Sequence, residues 1–168
     1  MANSSKKLAQ FLIDLYSKVR QRFSIDDHRH YLFTPRDITG LIFNLLRYEI
    51  QEAQGLIETL VYESSRIFKD RLVDKESKMQ FDKILYGLLK SHLRYNDTLR
   101  DTYFISKVVQ GSQSLVPGLP PLGRIGKQDF INMIDQAMRA YEREYKAMDV
   151  HLIEEILDLI AYSERTLS

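Results

Sequence analysis

Apolar residues recur at three- and four-residue intervals along most of the chain, the spacing that lines them up on one side of an α-helix. Leu8, Phe11, Leu12, Leu15, Tyr16 and Val19 predict a first helix over residues 5–22, with Lys and Arg toward its end. A polar turn from Ser24 to His30 leads to a second helix that starts at Thr34-Pro35 and carries Ile38, Leu41, Ile42, Leu45 and Leu46 on one side. Gly40 weakens that helix without ending it. A third helix is expected from Ala53 to Leu72, with Leu56, Ile57, Leu60, Val61, Ser64, Ile67 and Phe68 in register, and a fourth from Lys75 to Leu93 through Phe81, Ile84, Leu85, Leu88 and Leu89. Four such helices joined by short loops close a bundle, so the fold class is mainly α.

After Tyr95 the pattern changes. Thr102 to Val109 is rich in β-branched and aromatic residues, which predicts a short strand or extended segment. Gln110 to Lys127 holds three of the four prolines and four of the seven glycines, the composition of a connector. Two more helices follow, at 127–147 with Phe130, Ile134, Ala137, Met138, Tyr141 and Tyr145, and at 149–167 with Leu152, Ile153, Ile156, Leu157 and Ile160. The organisation expected is therefore a bundle over 1–110, a connector over 111–128 and a helical pair over 129–168. The two halves share no spacing, so no internal repeat is expected.

Charge and composition narrow the partners. Twenty-four Lys and Arg balance 23 Asp and Glu, leaving no broad basic field, so nucleic acid is not an expected partner. The chain has no cysteine, hence no disulfide and no thiolate metal site, which fits the cytoplasm. No apolar run reaches the length of a membrane span, and Met1 to Lys7 lacks the apolar core of a signal peptide. The chain is expected to be neither secreted nor membrane-spanning.

Few residues carry candidate chemistry. Gly118 to Ile125 has two glycines at the separation of a phosphate loop, but Arg124 and Ile125 stand where Lys and Ser or Thr belong, and Pro120 and Pro121 remove N–H groups. Asp26, Asp27, His28 and His30 crowd one loop in a weak metal-ligand pattern; a small metal-dependent hydrolase would have to use it. There is no Gly-flanked nucleophilic Ser, and Glu154-Glu155 point to different faces of a helix rather than forming an acid/base dyad. The basic groups Lys18/Arg20/Arg22 and Arg139/Arg143/Lys146 lie near helix ends or among acids. The sharpest stretch is His30 to Thr39. Thr34 suits the N-cap, Pro35 the first helical position and Asp37 the third, but Arg36 puts a cation where the helix terminus is already positive. Either Arg36 pairs with Asp37 or another carboxylate, or it reaches a bound phosphate.

Residues 30–48, His-Tyr-Leu-Phe-Thr-Pro-Arg-Asp-Ile-Thr-Gly-Leu-Ile-Phe-Asn-Leu-Leu-Arg-Tyr, resemble the lid helix of a dynein heavy-chain AAA+ module. Leu8 to Phe23 is similar to the helix before that lid, and Tyr62 to Leu72 to the family's R-x-F-x-D-R-L-type run. Leu115 to Phe130 and Asp149 to Ser168 look like the stretch before the next module's phosphate loop. The details are most similar to the cytoplasmic dynein-2, intraflagellar-transport branch, at the third module's lid and the start of the fourth. The resemblance implies a noncatalytic piece, lid at 1–110 and next-module helices at 129–168, of a ring-shaped microtubule motor ATPase. Arg36 matches the lid position that acts as second sensor, touching nucleotide phosphate; ATP or ADP with Mg belongs to the parent, and no cofactor, metal or catalytic residue is expected in the piece itself. Implied partners are the adjacent AAA+ modules and, through other parts of the parent, microtubules and dynein intermediate and light chains, with no nucleic acid and no membrane; the implied location is cytoplasm, cilium and axoneme. The reading from another class is a free-standing helical adaptor whose apolar faces bind a partner helix.

Overall fold

The computed structural model describes residues 2–50, 52–95, 102–108 and 115–167. It divides into two units: Met1–Leu45 with Ile50–Leu99, and Leu46–Glu49 with Arg100–Ser168. Mainly α architecture is observed, as the periodicity predicts, with six α-helices and one two-stranded sheet among the described residues.

The first unit is built from α1 (Ala2–Arg22), α2 (Pro35–Leu45), α3 (Ala53–Ile67) and α4 (Lys75–Leu88). Phe11, Leu15 and Val19 recur along α1 and, with Phe23 just past its end, are buried with Phe81, Leu85 and Leu88 of α4, while Leu41 and Leu45 of α2 and Leu60 and Val61 of α3 complete the same core. The α4 N-terminus is closed by Asp74, whose carboxylate accepts from the Ser77 N–H at 2.7 Å and the Ser77 hydroxyl at 2.8 Å. The backbone N–H of Ser77 is the main cause that holds the Asp74 carboxyl below its ordinary value of 3.8, with the Ser77 hydroxyl next.

Two helices of this unit end sooner than their apolar patterns predict. α3 stops at Ile67 instead of running to Leu72, and Lys69–Arg71 form a single 3₁₀ turn. The Phe68 ring is buried between Phe33 and Phe81, Lys69 pairs with Asp82 at 2.7 Å, and Arg71 turns to Asp37; a continued α-helix would not aim all three groups at those neighbours. α4 passes at Leu89 into a π-helical turn, Leu89–Leu93, which closes with Arg94 in the left-handed conformation at φ 55°.

In the second unit, β1 (Thr102–Ile105) pairs antiparallel with β2 (Gly123–Gly126), Tyr103 opposite Ile125 and Phe104 opposite Arg124. β1 is shorter than the 102–109 segment expected, because Ser106–Val108 form a 3₁₀ turn; Val109 lies outside the described residues. β2 is a strand inside the stretch read as connector. Its Gly-Arg-Ile-Gly has no alternating apolar signature and gains its pairing from β1. Just before it, Leu122 donates its N–H to the Arg47 carbonyl at 2.8 Å and bridges in parallel to Tyr48. α5 (Lys127–Glu142) and α6 (Glu154–Leu167) pack on this ribbon, burying Tyr103, Ile105, Phe130, Ile134, Leu157 and Ala161 together. α5 ends before the expected residue 147: the Glu142 carboxylate accepts from the Met148 N–H at 2.8 Å, and Tyr145 stacks on Tyr141 at 4.7 Å in the turn beyond. α6 starts at Glu154 rather than near 149, with two acids in the first turn, where the helix field favours them. Among the described residues no helix is long and apolar enough to cross a membrane.

Candidate functional site

The start of α2 is fixed by a reciprocal cap and by a clasp from the 3₁₀ turn. Pro35 takes the first helical position, where its missing N–H leaves nothing unpaired. Asp37 reaches back so that its Oδ2 accepts from the Thr34 N–H at 2.6 Å. The Thr34 hydroxyl also points to Asp37 Oδ2, at 3.3 Å, so the cap differs from the expected one: here the hydroxyl donates to the carboxylate.

The other carboxylate oxygen is taken from outside the helix. Asp37 Oδ1 accepts from Arg71 Nη2 at 2.5 Å, with the Asp37 side chain mostly buried and that of Arg71 about a third exposed. Arg71 is itself held in several ways: Nη1 donates to the Leu32 carbonyl at 3.3 Å and the guanidinium lies over the Phe33 ring at 5.6 Å. Its own carbonyl sits 3.1 Å from His30 Nε2, a contact that requires the hydrogen on that nitrogen. One step further, the Val73 N–H donates to the Tyr31 hydroxyl at 3.0 Å. Tyr31 is buried edge-on against Phe23, with ring centroids 6.1 Å apart, and His28 and His30 pack on it at 4.8 Å each. The two segments singled out by sequence, 30–48 and 62–72, are thus brought together, residue against residue.

Arg36 stands apart from this network. It is exposed in the first turn of α2, and among the described residues it has no hydrogen bond or ion pair. Of the two readings open from sequence, pairing with Asp37 is not the one formed, because Arg71 occupies that carboxylate.

The other candidates are placed as follows. Asp27 Oδ2 accepts from the Ser24 N–H at 3.0 Å and Ser24 Oγ accepts from the Asp26 N–H at 3.2 Å, so Ser24 and Asp27 serve the turn itself, while His30 is turned to the Arg71 carbonyl. Among the described residues no three His, Cys, Asp or Glu side chains converge on a metal position. Arg124 and Ile125 lie in β2, and Gly118 takes φ +81° in the turn before it. Lys18, Arg20, Arg22, Arg139, Arg143 and Lys146 are exposed on α1, on α5 and beyond its end.

Sequence reasoning missed Arg71 as the partner of Asp37. A signal was present: Arg66 pairs with Asp70 within its own helical spacing at 3.2 Å, which leaves Lys69 and Arg71 as cations in need of distant carboxylates.

Residues 1–78, which contain the whole clasp and the cap of α4, match the family model for the dynein heavy chain, ATPase lid domain. The chain is 36% identical over 173 residues to the cytoplasmic dynein 2 heavy chain 1 of Tripneustes gratilla, covering 96% of this chain and 4% of that protein. It is 29% identical over 167 residues to the cytoplasmic dynein 2 heavy chain 1 of Chlamydomonas reinhardtii, with 98% and 4% covered. To the human protein of the same name it is 27% identical over 177 residues, with 96% and 4% covered. The chain therefore spans about 4% of the length of these curated relatives. A match that takes in the clasped start of α2, together with likeness over nearly the whole chain, means that the chain belongs to the dynein heavy chain family and carries its ATPase lid domain at residues 1–78.

Proposed function

We propose that this chain is the lid of the third AAA+ module of a dynein-2-type heavy chain, continuing into the start of the fourth, in the motor of retrograde intraflagellar transport in cilia and flagella. It is a noncatalytic piece. Nucleotide, ATP or ADP with Mg, would be held mainly by other parts of the parent, and Arg36 would add a second-sensor contact to its phosphate. The lid then moves as a body when nucleotide is present and passes that motion to the neighbouring module.

The observation that carries this reading is Arg36 itself: an exposed cation in the first turn of a helix, without a partner among the described residues, kept there against the local field. A first-turn cation costs about 0.3–1 kcal/mol of stability. An anion supplied from outside the described residues would offset that cost, and Arg suits phosphate through its forked N–H donors. One Arg–phosphate contact does not outweigh the entropy lost on association, so the isolated chain is expected to hold nucleotide feebly.

The test is Arg36→Ala in the intact parent motor. Nucleotide affinity at this module should fall about tenfold, the size of one charge-assisted hydrogen bond, and nucleotide-dependent microtubule gliding should slow. The same substitution in the present chain should raise its stability by about 0.3–1 kcal/mol, which separates loss of function from loss of fold. Unchanged affinity and gliding in the substituted motor would refute the assignment.

A further inference from the structure

Asp37 is a carboxylate that can silence Arg36: consecutive helix positions face different ways, but an arginine side chain is long enough to bend across that gap. Asp37 is the next residue in the chain, ionised carboxylates attract guanidinium groups within reach, and its negative charge opposes any anion that approaches the start of α2. Both of its oxygens are committed elsewhere: Oδ2 to the Thr34 N–H and hydroxyl, Oδ1 to Arg71 Nη2. The Leu32 carbonyl and the Phe33 ring hold the Arg71 guanidinium in place, and the His30 contact at its carbonyl holds its backbone.

We propose that Arg71 is a positioning residue for Arg36: by occupying and neutralising Asp37, it leaves the Arg36 guanidinium free to meet a phosphate and keeps the start of α2 net positive. The role rests on the reading of Arg36 as a phosphate contact. Arg36, Asp37 and Arg71 together carry one net positive charge, and without Arg71 they carry none. Losing Arg71 therefore acts twice in the same direction, by offering Arg36 a nearby carboxylate and by cancelling its field. Both effects need the Asp37 charge, and neither needs Arg71 to touch nucleotide.

That dependence gives a test that a merely structural role fails. In the intact parent motor, binding of a fluorescent ADP analogue with Mg²⁺ would be measured at the nucleotide site beside this lid for Arg36→Ala, Arg71→Ala and the double variant Arg71→Ala/Asp37→Asn. Arg71→Ala should weaken binding about tenfold, equivalent to about 1.4 kcal/mol. Adding Asp37→Asn should restore it to within about twofold, because the amide oxygen can still accept from the Thr34 N–H while the charge is gone. The thermal stability lost with Arg71 should not return in the double variant, since the clasp stays broken. Rescued binding without rescued stability is the result expected. If Arg36→Ala weakens binding but the double variant binds as poorly as Arg71→Ala, Arg71 only holds the fold and the proposal is overturned. If Arg36→Ala has no effect, the phosphate reading of Arg36 fails first, and the positioning role fails with it.

Discussion

Replacing Tyr31 with phenylalanine removes one oxygen and nothing else from the junction of α1, α2 and the 3₁₀ turn. The ring, 2% exposed, keeps its packing on Phe23 and Phe33. The lost oxygen accepts from the Val73 N–H at 3.0 Å. Val73 is 61% exposed, so water can reach its amide once the hydroxyl is gone. The cost should then be that of one net hydrogen bond, about 0.5–1.5 kcal/mol, rather than that of a stranded buried donor. Tyr31→Ala should cost about 3–5 kcal/mol, because it empties a buried aromatic position. It also breaks an edge-to-face pair worth about 0.5–1.5 kcal/mol more. In urea, with a slope of about 1–2 kcal/mol per molar for a domain of this size, Tyr31→Phe should lower the unfolding midpoint by about 0.3–1.5 M. Backbone amide exchange at Val73 gives the local reading and should accelerate severalfold. An unchanged midpoint together with an unchanged Val73 exchange rate would refute the idea that the tyrosine hydroxyl ties the 3₁₀ turn to the α1–α2 junction.

Two further outcomes are expected. The Asp74 carboxyl is held below its ordinary value, so the α4 cap stabilises the fold above that value and the contribution disappears as pH falls through the lower, folded one. Melting temperature should thus drop on acidification below pH ~4 less steeply in Asp74→Ala than in the parent chain, and parallel curves would count against the cap. In the second unit, Glu164 of α6 accepts from the Ser106 N–H at 3.1 Å and from the Ser106 hydroxyl, closing the end of β1. Glu164→Ala should cost about 1.5–3 kcal/mol as a charge-assisted contact and should speed amide exchange at Ser106, whereas protection equal to the parent's would rule the contact out.

Helical periodicity places each α-helix among the described residues, because stretches such as Leu8 to Val19 and Phe81 to Leu89 bury the same stripe that their spacing draws. The ends were less legible. Apolar residues continue past Ile67 as Phe68 and Leu72, and both are indeed buried, but Phe68 is buried by neighbours that require a turn rather than a helix. β2 was invisible for a different reason: two of its four residues are glycines, and what makes it a strand is β1, some twenty residues away. At the candidate site, the cap residues and the misfit of Arg36 could be read from local rules alone. The partner of Asp37 could not, since the Arg71 pairing spans 34 residues and exists only once the turn after α3 has packed against the start of α2.

Leu46–Glu49, the four residues that follow α2, belong with the second unit, while the chain on both sides of them belongs to the first. The second unit is therefore a discontinuous domain, and no single stretch of gene encodes it. A fragment beginning at residue 100 would lack Tyr48, the parallel partner of Leu122 at the mouth of β2, and so would leave part of the ribbon's edge bare. Bare edges recruit other strands. Such a fragment is expected to clump, and supplying residues 2–95 as a separate chain should keep it in solution by returning the missing piece.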